Sequence, residues 1–216
     1  MDEGTQRAVI TVGGGRGFIV ETAGHRLVVT AAHCLPHFPP AASITYTQER
    51  TYVELLGPLG NGAPKVWAEC LFADPIGDIA VLGSPDCQEV YDEAVAYEEL
   101  TEDVPPLRIA DAPERAPAWL LTLDRQWIRC EVKHVGGPLR IENATAPIMG
   151  GMSGSPILNA DGGAIGVLCA SAGTGNVPHT EGGPNPRLSE SLPGWLLRQL
   201  AEADATKIKD DESESH

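Results

Sequence analysis

Three short stretches hold residues able to do chemistry together: Thr30-Ala31-Ala32-His33-Cys34, Asp74-Pro75-Ile76-Gly77-Asp78-Ile79-Ala80-Val81-Leu82 and Gly151-Met152-Ser153-Gly154-Ser155-Pro156. In chain order they supply an imidazole, a carboxylate and a hydroxyl. A serine hydroxyl is a weak nucleophile at neutral pH. It needs a base within hydrogen-bond reach, and the base needs a partner that holds its tautomer. Such a set supports nucleophilic attack on a carbonyl through a covalent intermediate.

His33 is the base expected. A lone histidine is more often a packed core residue, but the small Ala31 and Ala32 beside it and the two other motifs favour the functional role. Asp78 is the favoured carboxylate, because it precedes the apolar strand Ile79-Ala80-Val81-Leu82, which would carry it inward. A buried carboxylate without a partner is costly. Asp74 competes, with a turn-capping role as its plainer use. Ser153 lies between glycines, and Ser155 is the alternative nucleophile, though Pro156 follows it. Glycine at 151 permits unusual backbone geometry. The amides of Gly151 and Ser153 would then form an oxyanion hole for the attacked carbonyl.

These groups need rigid elements to position them. Arg7–Val12, Gly17–Glu21, Arg26–Ala31, Thr51–Leu56, Val66–Phe72 and Ile79–Leu82 are apolar and β-branched between turn signals, so each reads as a strand. Six strands are enough to close a small antiparallel barrel. Strand patterns resume at Trp119–Leu123, Ile128–His134, Leu139–Glu142, Pro156–Leu158 and Ala164–Ala170, and make a second barrel. Gly173–Pro186 is rich in glycine and proline and is expected to be loop. Glu89–Leu100 fits a short surface helix. A helix is expected near Leu192–Leu200, with Ser191 as N-cap and Pro193 in the first turn. The expected fold is all-β: two six-stranded antiparallel β-barrels with a C-terminal α-helix. Residues 1–83 form the first barrel with His33 and Asp78. Residues 84–116 form the linker, 117–188 the second barrel with Ser153, 189–204 the helix and 205–216 an acidic disordered tail.

The 216 residues carry 24 glycines and 18 prolines, which favours short strands and turns over long helices. The net charge of -15 disfavours nucleic acid, whose phosphates need a basic surface. Acidic runs lie at Glu89–Asp103 and at Asp210–Glu214; solvation is their plainer role, and docking of a basic partner the sharper one. Five cysteines, Cys34, Cys70, Cys87, Cys130 and Cys169, form no CxxC pair, which argues against a zinc site. No apolar run suits a secretory signal or a membrane span. Free thiols in a reducing cytoplasm are therefore expected. Gly13-Gly14-Gly15 lacks the lysine and helix of a phosphate loop. His25, His37, His134 and His179 lack metal-ligand spacing.

At the three motifs the chain resembles the trypsin/chymotrypsin superfamily of serine endopeptidases, closest in style to disulfide-poor bacterial trypsin-like peptidases. The order His, Asp, Ser is that of the chymotrypsin-type arrangement. Gly15-Arg16-Gly17-Phe18-Ile19 resembles the family's early Gly-x-Gly-Phe strand, and Gly166-Val167-Leu168-Cys169 resembles its substrate-pairing strand. The likeness spans about residues 7 to 203. It implies peptide-bond hydrolysis by Ser153, His33 and Asp78 through an acyl-enzyme, with no cofactor and no metal. It implies a protein or peptide substrate; the charge and hydropathy above point to no nucleic acid and no membrane. A regulatory or activating protein partner is a further expectation, because a cytoplasmic protease without a zymogen switch needs restraint. A protease-like binding or scaffold protein without activity is the rival.

The departures from the family are informative. Cys34 has no cysteine on the neighbouring Phe18–Thr22 stretch to pair with. Met152 stands where zymogen members carry an aspartate, so activation by N-terminal cleavage is not expected. Ser155 replaces a usual glycine. The resemblance also places the pocket for the residue before the cut between Ala146-Pro147-Ile148-Met149, the Cys169-Ala170-Ser171 strand and the loop beyond. Pro147 near its base, with Ile148 beside it in the wall, implies a preference for neutral, small to medium apolar side chains. Glu181, if turned into the pocket, would restore a basic preference.

Overall fold

The structure is a computed structural model that describes residues 1, 3–22, 24–40, 49–60, 62–169 and 179–203. A short helix α1 (Glu3–Arg7), absent from the sequence reading, precedes six strands. These are β1 (Val9–Val12), β2 (Gly15–Thr22), β3 (His25–Thr30), β4 (Thr51–Pro58), β5 (Val66–Asp74) and β6 (Ile79–Gly83). They close into an antiparallel barrel in the order β1-β2-β3-β6-β5-β4. Every residue of β6 is buried, as a continuous apolar run demands when both faces are covered. One cover is helix α2 (Tyr91–Glu102), whose Tyr97 hydroxyl lies 3.0 Å from the Arg26 carbonyl and 3.4 Å from that of Leu82.

The second half supplies β7 (Arg115–Leu121), β8 (Trp127–Lys133), β9 (Leu139–Glu142), β10 (Pro156–Leu158), β11 (Ala164–Val167) and β12 (Gly182–Asn185). Their order is β11-β10-β7-β8-β9-β12. The Val167 N–H donates to the Pro186 carbonyl at 3.2 Å, and Gly166 bridges to Arg187, so the sheet curls into a nearly closed barrel. Strand β12 corrects the expectation of a loop across Gly173–Pro186. Gly-Gly-Pro-Asn has no apolar alternation, and its extended form is imposed by pairing with β9, where Asn185 stands opposite Leu139. Residues 170–178 lie outside the described residues.

The C-terminal helical region is broken. Helix α3 (Leu188–Ser191) ends where an N-cap was expected at Ser191, and helix α4 covers residues 194–203. Pro193 separates them, because it has no N–H to continue the first helix. Its carbonyl instead accepts from Leu197 at 3.2 Å and starts α4. Leu188, Leu192, Leu196 and Leu200 recur every four residues and join one core with first-barrel residues such as Val29, Val81 and Phe18. The same core holds Leu158, Ala164 and Val167 of the second barrel, and α3 packs on β11, while Trp195 and Gln199 of α4 lie beside Thr22 and Arg26 of the first barrel.

A buried guanidinium crosses the seam between the barrels. Arg16 on β2 is 4% exposed and donates to the Leu121 carbonyl at 2.8 Å and the Thr122 carbonyl at 2.9 Å. Its backbone N–H donates to Ser153 O at 2.7 Å, and its carbonyl accepts from Thr30 Oγ1 at 2.6 Å. Burial lowers its pKa, with repulsion from Arg125 acting in the same direction. Gly154 is pressed against this strand, where a Cβ would stand 1.7 Å from the Arg16 carbonyl oxygen at a φ of +83°. Only glycine fits there.

Replacement of Arg16 by leucine takes the charged donor away from the Leu121 and Thr122 carbonyls, leaving Thr122 O with the Arg125 N–H at 3.1 Å. It should cost about 2–4 kcal/mol, since bonds to a charged donor are worth about 1.5–3 each and a buried acceptor that loses a donor carries its own penalty. Urea unfolding of Arg16→Leu beside the parent chain measures this; a loss under about 1 kcal/mol would show the clamp to be dispensable.

Candidate active site

The His33 imidazole is delivered by the end of β3. After Thr30 the chain makes a single 3₁₀ turn, Ala32–Cys34, closed by Cys34 N–H to Ala31 O at 3.0 Å and Leu35 N–H to Ala32 O at 3.1 Å. Ala31 and Ala32 are fully buried, so only small side chains let the turn sit this deep. The His33 side chain remains 47% exposed.

Asp78 meets it from the residue before β6. Its Oδ1 accepts the His33 backbone N–H at 2.9 Å, and its Oδ2 lies 2.7 Å from His33 Nδ1. A carboxylate facing Nδ1 puts the ring proton on that nitrogen and leaves the Nε2 lone pair free. Asp78 sits at φ +55°, a left-handed conformation that aspartate tolerates better than most residues. It is half-buried, at the cleft edge, rather than carried into the interior as expected. Burial raises its pKa, but the His33 N–H, the Cys169 thiol and the His33 ring together outweigh burial and hold it below the ordinary 3.8. Asp74 accepts instead from Ile76 N–H at 2.9 Å and Gly77 N–H at 3.0 Å, capping the turn that leads to Asp78.

Ser153 arrives from the second barrel. Met152 is fully buried and anchors the loop, with its N–H donating to Met149 O at 3.2 Å. Gly151 takes φ +86° inside that turn, which a side chain would strain. The Gly154 N–H donates to Leu168 O at 2.7 Å, which ties the far side of the loop to the β11 end. Among the described residues, nothing accepts from the N–H groups of Gly151 or Ser153, so both are available to an outside oxygen. Ser155 is fully buried, its Oγ has no partner among the described residues, and it is not among those lining the cleft.

A cleft of about 960 Å³ opens where the barrels meet, and His33, Asp78, Gly151 and Ser153 all line it. Among the described residues no hydrogen bond joins Ser153 Oγ to His33; such contacts often tighten only when substrate is bound. Cys169 also lines the cleft, while Ala170 and Ser171 lie outside the described residues. Pro147 and Ile148 are not among the described residues that line this cleft. Ile148 is drawn into the second barrel's core, its backbone N–H paired with His179 O at 2.7 Å. Gly150, Gly183, Pro184 and Asn185 form wall that the sequence reading missed. Glu181 is exposed and off the cleft. Glu190 lies on it, but is ion-paired with the buried Arg187. No group of three or more metal-ligating side chains occurs among the described residues.

The Cys169 thiol lies 3.5 Å from the Asp78 carbonyl. Burial pushes its pKa up, and the Asp78 charge pushes it further, so it stays a protonated donor. Burial likewise raises Cys34, which shares the cleft wall.

A family model described as "Trypsin-like peptidase domain" matches residues 15–167, which include His33, Asp78 and Ser153. No curated protein matches the sequence. Among solved structures, the MamO protease domain from Magnetospirillum magneticum is similar at 17% identity and a TM-score of 0.52, covering 87% of this chain and 95% of that one. The Rv3671c protease in its inactive form is similar at 18% identity and a TM-score of 0.52, covering 92% of this chain and 89% of that one. A serine-to-alanine variant of Rv3671c from M. tuberculosis H37Rv gives 18% identity, a TM-score of 0.51 and coverage of 94% and 89%. At these identities the likeness speaks for the fold alone.

The depressed pKa of Asp78 links stability to pH. Its stabilisation is fully present above the unfolded value near 3.8 and is lost as pH falls through the lower folded value. The stability gap between the parent chain and Asp78→Ala, measured by urea titration, should therefore shrink as pH is lowered from 6 to about 3. A gap that widens towards acid would contradict the assigned hydrogen bonding.

Proposed function

Because the chain belongs to the trypsin-like peptidase family, we propose that it is a serine endopeptidase that hydrolyses peptide bonds through an acyl-enzyme. The observation that carries this is the doubly bonded Asp78–His33 pair in one cleft with Ser153. His33 Nε2 takes the Ser153 proton as the hydroxyl attacks the scissile carbonyl. His33 then returns that proton to the leaving amine. Asp78 keeps the ring in the required tautomer and steadies the imidazolium. The negative charge on the carbonyl oxygen meets the N–H groups of Gly151 and Ser153. Water then enters, gives a proton to His33 as it attacks the acyl carbonyl, and His33 returns that proton to Ser153 Oγ as the ester bond breaks and the acid leaves.

We extend the proposal to neutral residues before the cut. Among the described residues lining the cleft, the two carboxylates, Asp78 and Glu190, are each already paired. A lysine or arginine side chain would enter without a counter-charge, which is penalised. The proposal also places the protein in a reducing compartment, with a partner restraining its activity. All five cysteines are free, and burial raises the thiols of Cys70 to about 11 and Cys130 to about 12. Helix α2, with acidic residues in its first turn and no basic residue in its last, offers a face for a basic partner. Among the described residues no helix is long and apolar enough to cross a membrane.

Ser153→Ala should abolish hydrolysis and fluorophosphonate labelling, on the order of a 10⁶-fold loss in turnover, and His33→Ala should match it. Asp78→Asn should lose about 10⁴-fold, since it disturbs the tautomer and keeps the base. Retention of more than a few per cent activity in a folded Ser153→Ala would refute the reading. Cleavage profiling with a peptide library should return neutral side chains before the scissile bond; a majority of Arg and Lys would overturn that part alone.

A further inference from the structure

Among the described residues, Asn185 is the only fully buried side-chain amide. Its Oδ1 accepts the Cys169 backbone N–H at 2.8 Å, and its Nδ2 donates to the Leu139 carbonyl at 3.2 Å. The amide's orientation is forced by these partners, because an N–H needs the oxygen and a carbonyl needs the nitrogen. An apolar side chain of similar size would leave the Cys169 N–H without its acceptor and take a donor from the Leu139 carbonyl, which is costly in the interior. Asn185 therefore ties the last described residue of the β11 segment to β9.

That residue matters because of what its side chain touches. The Cys169 thiol lies on Asp78, 3.5 Å from its carbonyl. Asp78 holds His33 at two points, 2.9 Å and 2.7 Å. Asp78 is also in a left-handed conformation, so neighbours must hold it there. The contacts form one chain: Leu139 to Asn185 to Cys169 to Asp78 to His33. Asn185 and Cys169 come from the second barrel and Asp78 and His33 from the first, so this chain crosses the seam beside the cleft.

Resting on the peptidase reading of the cleft, we propose that Asn185 is a positioning residue: its amide fixes the Cys169 segment so that the thiol braces Asp78, and Asp78 in turn holds His33. Asn185 need touch no reacting atom. Its effect on turnover passes through Cys169.

A double-mutant cycle tests this in the full chain. Asn185→Ala should lower kcat roughly 10- to 100-fold, the scale of a small misplacement at a reacting centre. In the Cys169→Ala background the same change should lower kcat by less than about threefold, because the link it acts through is already gone. The same large factor in both backgrounds overturns the proposal. A second readout needs no activity: the downfield proton resonance of His33 Nδ1–H, expected in the parent chain and lost or shifted in Asn185→Ala and in Cys169→Ala. An unmoved resonance in either variant overturns the proposal. Should Asn185→Ala fail to fold, Asn185→Ser, whose hydroxyl cannot span both backbone partners, takes its place with the same expectations. Failure of the peptidase reading is separately visible as a parent chain that neither hydrolyses peptide nor takes up fluorophosphonate, and the resonance still decides the role of Asn185.

Discussion

The Arg16 guanidinium sits between two barrels that must hold a fixed register. His33 and Asp78 belong to one barrel and Ser153 to the other, so a rigid-body shift at the seam would separate them. Arg16 ties three pieces at once: its side chain grips the end of β7, its N–H holds the Ser153 carbonyl, and its own carbonyl receives Thr30. Thr30 is the last residue of the strand that delivers His33. The clamp therefore connects the serine loop to the histidine strand through only a few bonds. Carbonyl oxygens alone solvate its side chain in the contacts observed, which limits how far the strands can move before a cation is left bare in the interior.

Close approach of backbone to backbone completes the seam. Gly154 lets the serine loop lie directly on β2, and the same loop is tied to Leu168 behind it. The Ser153 carbonyl and the Gly154 N–H are thus consumed by structure, while the Gly151 and Ser153 N–H groups point to no protein acceptor among the described residues. This division of backbone groups leaves two N–H donors of the loop without a protein acceptor among the described residues. Preorganised donors are effective because they do not have to reorient when charge develops.

On the opposite wall the polar groups are satisfied in series. Asp78 would resist ionisation if burial acted alone, yet its hydrogen bonds hold it ionised. The Cys169 thiol lies on the Asp78 carbonyl while its own backbone N–H is held by Asn185. The cleft thus combines a firm polar frame with a lining rich in glycine and proline, which presents backbone rather than bulky side chains to an occupant.

Much of this was legible in the sequence. Burial leaves a local signature, so the apolar runs located the first eleven strands, several within one or two residues of their observed ends. The glycines around Ser153 and the small residues before His33 marked backbone that must turn tightly, and the motifs together marked the family. Tertiary structure decided the rest. Asp78 rather than Asp74 meets His33, because only one side of the Asp74–Asp78 turn faces the β3 end. Ile148 turns into a core and leaves glycines to line the cleft. Strand β12 exists because β9 offers it an edge. Arg16 and Asn185 had no signal at all, because their partners lie 105 and 16 or more residues away. A periodic pattern records which face of an element is buried; it carries no record of which distant backbone group a buried polar side chain will satisfy.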